Sequence, residues 1–515
     1  MKTTKKKLLS FALLSIAAAF PPQVQSDEPK RDGDWMAAKD VASGATTMTM
    51  EITLSPKAES SPALRYRFIP DGFDLLEENS AVYYLKAMGF LEQSSALELL
   101  MKERAQTRKT VEETGKDYYS LPPHVWQDQT PSELPLDKVK EYLSLLRFQT
   151  RELAEAAKRK FFSMERNIRS VDHPSMTLIP EIQVMRELAR NQRLRCRVAI
   201  AEGRVDDAIA ILGQQFAMAR HLDQDGFIVS SLVGAAIAHI AWEDALHLTQ
   251  HPDCPNLYWA VASLPTPLIT MENAMDYERQ FFFEELKVMR EVDETPRDES
   301  YWKSFIEKFE RQAVILESFK DDGTVDKPKM DQAAIEAMIV ASYPASKLYL
   351  VEETGIDSKI VDSYPKAQTV FLAMKRLHEV LRDKSFKWRY VPYANAVASA
   401  EFQNLEKEMA SMASKLGKAG EIAVSLLPSA TNLFQAKRRI IDKLVLLQTV
   451  ESIRDHASAH QGKLPSTLAD LRLPIPQDSL MVKSMQYELQ EDHAVLSIQD
   501  WNKLKWQLTL TMRNE

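Results

Sequence analysis

Between residues 48 and 54 the chain alternates: Met48, Met50, Ile52 and Leu54 are apolar, and Thr49, Glu51 and Thr53 between them are polar. A period of two predicts a strand with one buried face. Leu64 to Pro70 reads as a short extended lead-in, and from about Asn79 to His460 the period lengthens to that of helices. Asp137 to Arg169 and Pro180 to Gly203 are predicted as two long helices. Gly203-Arg204-Val205-Asp206 is predicted as a turn and Asp207 to Leu222 as the next helix. The apolar run from Phe227 to Trp242 predicts a buried helix, too short to cross a bilayer. Ser342-Tyr343-Pro344 and Ser363-Tyr364-Pro365 each place a proline at a helix start, with Thr354-Gly355-Ile356-Asp357 joining the two helices. Beyond the turn at His460 to Pro465, alternation returns. Met485 to Leu489, Ala494 to Ile498 and Trp506 to Met512 predict a small antiparallel sheet.

The fold class is therefore mostly α: a multi-helix hairpin or solenoid-like body with a small C-terminal antiparallel β module. Four segments follow: 1–26 as a signal peptide, 27–63 as a linker with one strand, 64–460 as the helical body and 461–515 as a β-rich tail. Composition agrees. Only 14 of 515 residues are glycine, against a usual share of about 7%, so tight hairpins and phosphate-cradling loops are scarce.

The first 26 residues have their own chemistry. Lys2, Lys5, Lys6 and Lys7 precede an uncharged apolar run from Leu8 to Phe20, then Pro21-Pro22 and Val24-Gln25-Ser26. This is the layout of a secretory signal peptide. It predicts export to the periplasm or beyond, with no transmembrane span left after cleavage. Losing those four lysines takes the net charge from −8 to −12, which disfavours nucleic acid as a partner.

Chemistry is sparse. No Gly-x-Gly pair, P-loop, Gly-x-Ser-x-Gly elbow or Cys-x-x-Cys occurs, so no cofactor is predicted. His239, Glu243 and His247 stand at i, i+4 and i+8 on one predicted helix, as weak metal candidates. The two histidines are about 12 Å apart along the axis, too far for one ion, so the alternative is a polar stripe at a helix contact. Arg186, Arg190, Arg193 and Arg197 share one helical face, either as an anion or partner-binding groove or paired with acids such as Glu278, Glu284 and Glu285. Tyr258, Trp259 and Phe281 to Phe283 are read as core in preference to sugar-stacking groups. Cys196 and Cys254 are open to two readings, an exported disulfide or buried thiols.

The string AEGRVDDAIAIL resembles the hairpin turn of a tetratricopeptide unit, with Ala208 as its small residue. The blocks RLRCRVAIAEGRVDDAIAILGQQFAMARHL, LVGAAIAHIAWEDAL, PNLYWAVASLPTPLI and FKWRYVPY resemble a family of uncharacterised secreted bacterial helical proteins. The tail HQGKLPSTLADL and its strands are similar to the C-terminal tail of pseudopilins: Gly462, Pro465 and Tyr487 fit, and Pro474-Ile475-Pro476-Gln477-Asp478 departs from the usual Pro-Asp-Pro form. The resemblance implies export and a helical body, and brings no activity with it. The expected role is protein interaction or scaffolding in the cell envelope, with a protein or envelope component as partner. The alternative is a helical envelope hydrolase or carbohydrate-active enzyme whose carboxylates come from separate helices. A surface-assembly role has only the tail in its favour.

Overall fold

The computed structural model describes residues 30–40, 44–89, 95–171, 173–174, 177, 179–316, 330–476, 485–500 and 503–513. The signal-peptide reading falls on residues 1–26, outside this set. From the N-terminus come β1 (Lys30–Asp32), β2 (Trp35–Lys39) and β3 (Thr46–Leu54). β4 (Leu76–Asn79) and β5 (Arg159–Phe161) form a parallel pair of their own, and β6 (Met485–Leu489), β7 (Ala494–Gln499) and β8 (Leu504–Met512) follow near the C-terminus. The body between is mostly helical, and β6-β7-β8 is the antiparallel C-terminal group that the sequence predicts.

The segment read as a linker is not one. β1, β2 and β3 join the C-terminal strands in a single six-stranded sheet of order β1-β2-β3-β8-β7-β6. Its central pair, β3 and β8, is parallel, in register from Thr46 opposite Leu504 to Leu54 opposite Met512. Parallel neighbours need a crossover, and here the whole helical body is that crossover: Thr53 and Thr511 share a hydrogen bond across 458 residues. The alternation explains the pairing. Met48, Met50, Ile52 and Leu54 on β3 and Leu504, Trp506, Leu508 and Leu510 on β8 are all buried on one face.

That face lies on the helices. α1 (Pro180–Ala201), α2 (Val205–Leu222) and α3 (Ile228–Thr249) pack on one another. A second group holds α4 (Gln332–Glu352), α5 (Lys366–Phe386) and α6 (Lys418–Ser425). α7 (Ala430–Ala459) runs against α3 and touches β7. Gly234 lets α3 approach α2: a Cβ there would stand 2.7 Å from the Ala219 carbonyl oxygen. α3 is longer than its apolar run suggests. Among the described residues it is the one helix long and apolar enough to cross a membrane, but 72% of its most apolar stretch is buried inside the molecule.

Other expectations change in detail. The predicted helix over 137–169 is two helices, Leu136–Ser144 and Arg147–Ala157, followed by β5. Pro365 does precede a helix, but Pro344 lies inside α4. Val340, four residues earlier, is exposed, so water can serve the carbonyl that the proline leaves without a donor. Cys196 and Cys254 are both free and buried. Burial pushes the Cys196 thiol far up and the Cys254 thiol to about 12, which suits the inert-thiol reading. Tyr258 is buried and donates to the Pro474 carbonyl, and Trp259 Nε1 donates to Glu59. Phe282 and Phe283 are buried and Phe281 half-buried.

Two buried imidazoles brace the body as neutral groups. His221 lies between the Tyr84 hydroxyl and the Arg159 carbonyl, both at 2.8 Å. His378 contacts the Ala423 carbonyl at 2.9 Å and stacks on Phe282. Burial pulls each down to about 4. Between pH 4 and the ordinary value of about 6.5 the unfolded chain therefore binds more protons than the folded one, and stability falls with acid. We expect each histidine to cost about 2 kcal/mol at pH 5 relative to pH 7.5. Urea unfolding at the two pH values measures this, and His221→Gln should lessen the dependence.

Candidate functional site

The β1–β2 turn is Asp32-Gly33-Asp34-Trp35, with Gly33 in the left-handed region at φ +59. A residue with a Cβ would be strained there. The turn drives Asp34 inward until its side chain has no exposure. Asp34 meets the inner end of the arginine stripe on α1. Arg193 Nη2 donates to Asp34 Oδ2 at 3.0 Å, and Arg197 Nη2 donates to the same oxygen. Behind them lie two acids of α3: Glu243 is 3.1 Å from Arg193 Nη1, and Asp244 accepts from Arg197 Nε at 3.0 Å. His247 Nε2 is 3.1 Å from Asp34 Oδ2.

This cluster is out of water, so charge pairing decides its state. Burial works against the Asp34 charge, but His247, Arg197 and Arg193 hold its carboxyl far below the usual range. Burial also opposes the Arg193 charge, and Glu243, Asp244 and Asp34 outweigh it. Arg197 additionally donates to the carbonyls of Gln127 and Gln129, which pins the 118–128 segment over α1.

The pairing reading of the stripe thus holds for its inner half, with different acids. Glu284 pairs with Arg290 and Glu285 faces His173. Arg197 is fully buried and presents nothing to a partner. The outer half differs. Arg186 and Arg190, together with Arg193, line a cavity of about 470 Å³ between α1, α3, α7, the sheet and the 118–128 segment. Arg190 has Glu187 at 3.8 Å. Arg186 has Gln183 at 3.5 Å and, among the described residues, no ion pair. Burial, then the like charge of Arg190, push the Arg186 guanidinium below its ordinary value.

His239 and Glu243 line the same cavity. His239 Nε2 is 3.4 Å from Glu243 Oε1, and the same oxygen accepts from Trp35 Nε1 at 2.6 Å. Burial drags His239 down to about 3, keeping it neutral. For Glu243 burial acts upward, yet the carboxyl is held below its ordinary value, with the Arg193 guanidinium 3.1 Å away, so the carboxylate stays charged. His247 sits one turn further along, beside Asp34, away from the cavity lining. Among the described residues no three His, Cys, Asp or Glu side chains converge as a metal's ligands would. His239 and Glu243 thus face the cavity, and His247 faces the Asp34 turn.

The cavity's inner wall is aromatic and cationic. Trp35 stacks on Trp242 at 5.2 Å and meets Trp506 edge-on at 4.8 Å. Lys443 of α7 holds its Nζ 4.2 Å from the Trp506 ring centre and 2.9 Å from His239 Nδ1. Arg439, one turn earlier, donates to Asp500 at 2.9 Å, while its Nη1 is buried without a partner. The sequence reading missed Asp34, Trp35, Arg439, Lys443 and Trp506 as site residues. A tryptophan directly after Asp32-Gly33-Asp34 in a supposed linker was one available signal. Another was the charged run Arg438-Arg439-Ile440-Ile441-Asp442-Lys443, too charged on several sides for an ordinary helix face.

Two ion pairs on the β1–β2 hairpin separate the effect of burial. Asp34→Asn removes the carboxylate that bridges the two buried guanidiniums, leaving Glu243 to Arg193 and Asp244 to Arg197, and should cost about 1.5–3 kcal/mol in urea unfolding, the loss of charge-assisted hydrogen bonds. Removing the exposed Arg31–Glu133 pair, 2.8 Å long with side chains 53% and 43% exposed, by Arg31→Ala should cost at most about 1 kcal/mol. Compared with known protein families, curated proteins and solved structures, the chain matches none.

Proposed function

We propose that the chain is an exported binding protein of the cell envelope whose cavity takes a small anionic ligand. One observation carries this reading. Arg186 and Arg190 stand one helical turn apart on the cavity wall; the buried acids Asp34, Glu243 and Asp244 are engaged by Arg193 and Arg197, Arg190 has Glu187 at 3.8 Å, and Arg186 has no ion pair among the described residues. A bound carboxylate or phosphate would relieve both the burial of Arg186 and its repulsion by Arg190. A volume of about 470 Å³ suits a small molecule better than a partner's helix. Scaffolding is the role left to the body and sheet, which hold the cavity in shape.

A hydrolase would need carboxylates with divided roles, and Asp32, Asp128 and Glu243 do line this cavity. Burial, and then Glu243 and Asp128, push the Asp32 carboxyl up. Glu243, however, is committed to Trp35, Arg193 and His239. Binding is the reading favoured.

Two measurements test the proposal. Trp35 and Trp506 line the cavity, so tryptophan fluorescence should respond to glucuronate or pyruvate and not to glucose. Arg186→Gln/Arg190→Gln should weaken the response at least about tenfold, the loss of one or two charge-assisted bonds; an undiminished response in the variant would rule out the arginine pair. For export, the intact mass of the protein recovered from an envelope fraction should correspond to a chain beginning at Asp27.

A further inference from the structure

Lys443 lines the cavity, and the anion-binding reading leaves its charge without a task. Its residue is 5% exposed. Every acid that faces it is engaged with another cation. Glu243 pairs with Arg193, Asp442 with Arg438 at 2.7 Å, and Asp500 with Arg439. Among the described residues no carboxylate comes within ion-pair distance of Lys443 Nζ. Its polar contact is the neutral His239 ring, whose Nδ1 can accept a hydrogen bond from it while Nε2 faces Glu243. Burial is the main influence, opposed by Glu243 and reinforced by Arg439, and it pulls the ammonium down to about 7.

A structural lysine of this kind has a simpler design available: a cation that only caps the Trp242 and Trp506 rings gains from staying charged. An amine that must react gains from burial, from the lack of a carboxylate partner and from a neutral hydrogen-bond acceptor that orients it. The second description fits the neighbours of Lys443.

We propose that Lys443 is a nucleophile that condenses with the carbonyl carbon of an oxo acid or phosphorylated aldehyde held by Arg186 and Arg190. The inference rests on the anion-binding reading of the same cavity. In the step, the neutral amine attacks the carbonyl carbon and a C–N bond forms. The nitrogen gives up its two protons, the carbonyl oxygen leaves with them as water, and an imine links ligand to protein. No oxidant or reductant is involved. His239 Nδ1, 2.9 Å from the nitrogen, positions the amine by accepting a hydrogen bond from it, and the protons pass through water to the departing oxygen.

Pyridoxal 5′-phosphate is a suitable probe, since it carries both an aldehyde and a phosphate. The full chain is treated with less than one equivalent at pH 7.5, reduced with borohydride, digested and mapped by mass spectrometry. An ordinary lysine, with its value near 10.4, is about one-thousandth unprotonated there. The pyridoxyl adduct should therefore fall on Lys443 at least about tenfold above any other lysine. It should drop about tenfold in Arg186→Gln/Arg190→Gln, and its rate should rise through pH 7 and level off. Lys443→Arg, checked for folding by circular dichroism, should lose the imine absorbance. Adducts spread over exposed lysines with Lys443 unmodified would overturn the inference. If the fluorescence response to glucuronate or pyruvate persisted in that case, the anion-binding reading would survive; if it were absent too, both would fall.

Discussion

A carboxylate with no solvent contact at all, Asp34, sets the geometry of the site. Isolated, such a charge would cost many kcal/mol to bury. It is tolerated because Arg193 and Arg197 arrive from α1 while Glu243 and Asp244 of α3 balance the arginines from behind. The cluster therefore fixes three elements at once: the β1–β2 turn, α1 and α3. A hydrophobic contact tolerates sliding, whereas these charges do not, since any displacement leaves one of them unpaired in a medium that cannot screen it.

The sheet makes that clamp possible. β1 and β2 are short and have charged ends, too little to bury a face on their own. They are held because β3 pairs along its full length with β8, which brings Trp506 beside Trp35. The tryptophans then close the space between sheet, α3 and α7, and the cavity remains where the aromatic packing stops and the cations begin. N-terminal strands, C-terminal strands and central helices each contribute one wall. None of the three segments could form the cavity alone.

Legibility in the sequence follows the range of the forces involved. α1, α2 and the alternating strands were readable because their periods are local, and β6 covers the same residues, Met485 to Leu489, as its alternation predicts. The 4-3-4 spacing of the arginines was readable for the same reason. The parallel pairing of β3 with β8 was not, because no turn marks a partner more than 450 residues away. Asp34 and Lys443 were hidden in another way: their burial depends on charges supplied by distant elements, and sequence spacing on one helix says nothing of them. The end of the predicted 137–169 helix at Ala157 reflects tertiary override, since β5 takes a strand conformation to pair with β4.

The arginine stripe shows why neither of its two sequence readings sufficed. Four guanidiniums on one face suggest a single role, but the helix runs from the interior to the cavity, and burial changes along it. At Arg197, wholly enclosed, an unpaired charge is prohibitive, so Asp34 and Asp244 had to be brought to it. At Arg186, half-buried against the cavity, water can still hydrate part of the group, so the chain can leave it without a carboxylate. The same residue type thus serves as an internal brace at one end of α1 and as an open cationic wall at the other. The brace engages Asp34, Glu243 and Asp244 with Arg193 and Arg197, so among the described residues Arg186 is left without an ion pair and Arg190 has only Glu187, 3.8 Å away. Structure and site are consequences of one charge balance, divided by depth.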